Sequence, residues 1–177
     1  KSRAEPVYQQ LATANRINVA VTQGRLAQAE GWAAAGLAEA RQRGDRQRAY
    51  GYSGWMAGID YGVRPRPKRD LSAVEAVLRE FPPESLPPSD RPYLGLAGLY
   101  AVAGQPAQAR RYLTMARESD GRPWNPPIRV VRSAEGDVLE AEGNFQGALE
   151  SFQEAARLPG ANFCRDCVYF DVGRLFD

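Results

Sequence analysis

Two stretches of this chain carry the same pattern of small and large side chains at a fixed offset of 39 residues. One is YLGLAGLYAVAGQPAQARRYLTMA, residues 93–116, and the other is RSAEGDVLEAEGNFQGALESFQEA, residues 132–155. Leu96 answers to Glu135, Ala97 to Gly136, Tyr100 to Leu139 and Gly104 to Gly143. Ala109 then answers to Ala148, Leu113 to Phe152 and Ala116 to Ala155. The spacing reads as helix, tight turn, helix. A small residue on each helix lets two backbones approach, and a large one a turn away fills the gap. Glycine ends the first helix in a left-handed cap. One such hairpin cannot bury its apolar face alone, so several must stack.

The remaining sequence fits that grammar. Alanine, leucine, glutamate, glutamine and arginine dominate, and all favour helix. Sustained period-two alternation is missing, so strands are not expected. Breakers place nine helices, at about 6–22, 26–43, 46–61, 71–81, 92–103, 106–118, 128–142, 145–158 and 164–177. The expected pairs are 6–43, 46–81, 92–118 and 128–158, with a solitary final helix. At 177 residues the chain can bury one core and is read as a single domain. It opens on Lys1, and a piece of a longer protein is expected.

The repeated positions resemble the tetratricopeptide repeat. Tyr93, Leu96, Ala97, Tyr100, Gly104, Ala109, Leu113 and Ala116 fit that family's pattern. The next copy departs from it at Arg132 and Glu135, and Tyr169, Val172, Gly173 and Phe176 fit a further first helix. Gly24, Ala29, Ala33 and Gly36 follow the order more loosely, and the third helix offers Gly58 and Tyr61 with Ala73 and Val77 on its partner. Spacings of 37 to 39 depart from the family's repeat of about 34 residues.

The resemblance implies an all-α, right-handed superhelix of stacked antiparallel helix pairs. First helices would line a concave face that holds a peptide or partner helix. In that register Asn18, Arg91, Asp137 and Glu140 point into the groove. Tyr52, Trp55 and Ile59 join them if the third helix is registered on Gly58; otherwise Tyr52 and Trp55 are core. Trp124 is expected to plug two repeats or cover the groove edge. A narrower likeness, to the C-terminal repeat regions of bacterial serine/threonine kinases and related multidomain regulators, implies a scaffold or sensor role. The expected function is therefore a protein- or peptide-binding module, with a small-molecule sensor as the alternative.

Catalysis is not expected. The chain has no histidine, the usual general base and metal ligand, and no phosphate-binding or nucleophile motif. Its only cysteines, Cys164 and Cys167, cannot complete a four-ligand zinc site within one chain. A zinc shared between chains or a local disulfide stays open; in register they begin a fifth repeat. No cofactor is expected.

Charge is uneven. Residues 41–70 hold eight basic and three acidic side chains, and 133–156 hold six acidic and no basic ones. The basic run 64–70 reads as a solvated linker, since no interleaved aromatics suggest nucleic acid. The uncharged stretch 92–109 is broken at Gly104-Gln105-Pro106, too early for a membrane span. A cytoplasmic location is expected. The final helix needs a neighbouring repeat or a second chain to cover it.

Overall fold

The computed structural model describes residues 5–63, 70–118 and 128–158. All regular structure among them is helical: α1 (Glu5–Thr22), α2 (Leu26–Gln42), α3 (Arg46–Val63), α4 (Ser72–Glu80), α5 (Tyr93–Val102), α6 (Pro106–Glu118), α7 (Ile128–Ala141) and α8 (Phe145–Arg157). Each lies within two residues of its expected limits. The proline-rich segment before α5 forms two single turns of 3-10 helix, Pro83–Ser85 and Pro88–Asp90. The ninth helix, both cysteines, Trp124 and residues 64–69 of the basic run lie outside the described residues.

One turn is used four times. Gly24, Gly44, Gly104 and Gly143 have φ of 71, 65, 73 and 79°. Each donates its N–H back three residues, and the next residue donates back five, as in Gly104 to Ala101 (2.9 Å) and Gln105 to Tyr100 (2.9 Å). This pattern satisfies the last carbonyls of a helix, and it needs a left-handed residue that only glycine supplies without strain. The new helix starts two residues after the glycine in every case. Five residues after each glycine stands an alanine, Ala29, Ala49, Ala109 or Ala148, and all four are 0 % exposed.

The chain divides into two compact units, Lys1–Pro82 and Pro83–Asp177. In the first, α2 packs on both α1 and α3, and α4 packs on α3. The sequence pairing separated α2 from α3, yet the Gly44 turn that joins them matches the Gly24 turn between α1 and α2. Helix α2 thus belongs to two successive hairpins. Ile17, Ala20, Ala29, Ala33 and Ile59 form the core. Arg41 pairs with Glu80 at 2.8 Å and ties α2 to α4. The Tyr50 hydroxyl donates to the Phe81 carbonyl where α4 ends.

In the second unit α5 packs on α6 and α7, and α7 packs on α8. Tyr112 of α6 lies between Tyr93 and Tyr100 of α5, ring centroids 6.2 and 5.4 Å away. Tyr93 and Tyr100 stand two turns apart, so they line up along one face. Arg129 is only 5 % exposed. Its Nε donates to the Ala155 carbonyl (2.9 Å) and its Nη2 to that of Leu158 (2.8 Å), closing the end of α8. Asn144 caps the start of α8, its Oδ1 accepting from the Gly147 N–H at 3.0 Å.

Candidate functional site

Helix α3 carries glycine at 62, in its last turn, and earlier at 51, 54 and 58. Spacings of three and four put these earlier three on one face. A helical glycine costs about 1 kcal/mol relative to alanine. Among the described residues nothing demands that cost at Gly51 or Gly58, since a Cβ at either would meet none of their atoms within 4 Å. The result is a strip of bare helix backbone. Val21 of α1, with Trp55 and Ile59 of α3, borders the strip to make an open groove of about 380 Å³. Ile59 is 2 % exposed and forms its floor, while Trp55 is half-buried at its edge. Among the described residues no charged side chain lines it. A site of this kind recognises shape and apolar surface, and its walls are already assembled.

The opposite face of α3 lines a different cavity, of about 390 Å³. Glu30 of α2, Asp60 of α3 and Asp70 before α4 contribute carboxylates, beside Ser53, Met56 and Ser72. Among the described residues no three potential metal ligands converge closely enough to hold an ion.

The expected site residues fall in different settings. Trp55 lines this groove and also packs against the core cluster of the first unit. Asn18 is exposed on α1, three residues before Val21 and so on the same side of that helix. Tyr52 is turned the other way: its ring covers Gly36 of α2, where a Cβ would stand 2.5 Å from Cζ. It serves the α2–α3 contact. The remaining three belong to the second unit. Arg91 donates from Nε to the Leu86 carbonyl (3.2 Å) and from Nη2 to that of Glu84 (3.4 Å), holding the 3-10 segment together. Asp137 and Glu140 are half-buried on α7, and Asp137 Oδ2 would lie 3.5 Å from a Cβ at Gly98 of α5. The groove residues missed from sequence are Val21, Gly51 and Gly54. The signal for the two glycines was their helical spacing with Gly58 on α3.

The acidic run 133–156 is not a free acidic surface. Glu135 accepts from Arg117 of α6 (2.7 Å) and Arg132 of α7 (2.7 Å), and Arg132 also pairs with Glu154 of α8 at 3.0 Å. Arg110 of α6 grips both carboxylate oxygens of Glu142, donating from Nε to Oε1 at 2.8 Å and from Nη2 to Oε2. Burial alone would raise the Glu135 carboxyl, but the hydrogen bonds from Arg117 and Arg132 outweigh it and hold the group below the usual glutamate range. The hydrogen bond from Arg110 lowers Glu142 in the same sense. These pairs join three helices and engage Glu135, Glu142 and Glu154, three of the six acids in the run. None of the described helices is long and apolar enough to cross a membrane.

No family model matches the chain, and neither a curated protein nor a solved structure matches it.

Proposed function

We propose that this chain is a protein- or peptide-binding repeat module, TPR-like in its helix packing, that serves as a scaffold or regulatory part of a larger bacterial protein. The observation that carries the reading is the open α1–α3 groove, with Trp55 at its edge and the bare backbone of Gly51 and Gly58 along it. Tryptophan beside a dry apolar wall is the usual centre of binding energy in a protein interface. Glycines that no internal contact requires make sense where another backbone approaches closely. A small-molecule sensor would call for an enclosed apolar cavity. The groove is open along its length and suits a chain better than a small compound.

The test is a selection of peptides on the purified chain from a random display library. Binding of the selected peptides is then measured to the parent, Trp55→Ala and Gly58→Leu. Trp55→Ala is expected to weaken binding by about 2 kcal/mol, roughly thirtyfold. Gly58→Leu enters the groove from a position where a Cβ meets no described atom within 4 Å, and it should block binding while the helical circular-dichroism signal is kept. Peptides that bind both folded variants as well as the parent would move the site elsewhere, and a library that yields no binder would count against the module reading.

A further inference from the structure

We draw no further inference here: the strongest candidate, the cavity on the other face of α3 bordered by Glu30, Asp60 and Asp70, is a cluster of carboxylates beside which nothing in the structure points to a ligand.

Discussion

The two units solve one packing problem with opposite allocations of volume. Around each turn glycine, the residue seven places before it and the residue nine places after it occupy corresponding positions on the two helices. In the second unit the first of these is small and the second large: Ala97 with Leu113, Gly136 with Phe152. In the first unit the order is reversed: Ile17 with Ala33, Leu37 with Ser53. All eight are buried. The turn and the alanine five residues beyond it stay constant, so the hairpin depends on these and on the summed volume of the pair. Which helix carries the bulk is free to change. The first unit also repeats its turn after 20 residues, Gly24 to Gly44, where the second waits 39, Gly104 to Gly143.

That account breaks most visibly in a double-mutant cycle. Ile17→Ala should cost about 2–5 kcal/mol as a buried truncation. Ala33→Leu should cost about 1–3 kcal/mol by overpacking. The double variant gives Ile17 and Ala33, members of one core cluster, the allocation of the second unit. It should recover at least about 1 kcal/mol relative to additivity in urea unfolding. Strict additivity would mean that the two volumes do not compensate.

A smaller contrast separates the two bare glycines under aromatic rings. A Cβ at Gly136 would stand 2.4 Å from the Phe152 ring, and one at Gly36 would stand 2.5 Å from the Tyr52 ring. Phe152 is 0 % exposed and has nowhere to go, whereas Tyr52 is half-buried and can yield outward. Gly136→Ala should therefore lose about 2–3 kcal/mol and Gly36→Ala about 1 kcal/mol. Denaturant midpoints with hydrogen exchange in α7–α8 and α2–α3 would read both. Equal losses would show that exposure of the ring does not matter.

Electrostatics sharpens the comparison at low pH. Glu135 and Glu142 have carboxyl groups held below their ordinary range. Their stabilisation is present above the unfolded glutamate pKa and lost as pH falls through the lowered folded values. The α6–α7–α8 contacts should loosen in that acid window by at most about 1 kcal/mol per pair. Glu135→Gln should remove its share of the dependence, seen as a shallower acid limb in thermal melts of the variant. An unchanged limb would assign the acid response to other groups.

The smallest expected effect has the opposite sign. Gly58→Ala adds a methyl in open space on a helix, so it should stabilise the first unit by about 0.5–1 kcal/mol. A loss of stability would mean that the glycine strip is already packed against something in the free protein.

Helix positions were legible because their signals are local. Gly24, Gly44, Gly104 and Gly143 each stop a helix-forming run, and Pro82-Pro83 stops another. The second unit was the easier to register. Ala97, Gly136, Leu113 and Phe152 follow the small-then-large order that a repeat pattern looks for, whereas Ile17 and Leu37 invert it. The sequence showed Gly44 as a stop but not as a hairpin turn equal to Gly24, since that depends on hydrogen bonds running back to Ala40 and Arg41. The site was legible only in part. Trp55 borders the α1–α3 groove while packing on the core, and Tyr52, three residues earlier on α3, covers Gly36.

By itself, then, the amino-acid order determined that the described segments are helical and where those helices stop. Propensity, chirality at glycine and apolar spacing act within a few residues, and each leaves a mark in the sequence. Tertiary structure alone decided that α2 serves two hairpins, that Glu135, Glu142 and Glu154 pair with Arg110, Arg117 and Arg132, and that Gly51 and Gly58 face open space while Gly36 and Gly136 lie under rings. A glycine reads the same in sequence wherever it stands. What comes to lie above it is a matter of how distant helices pack.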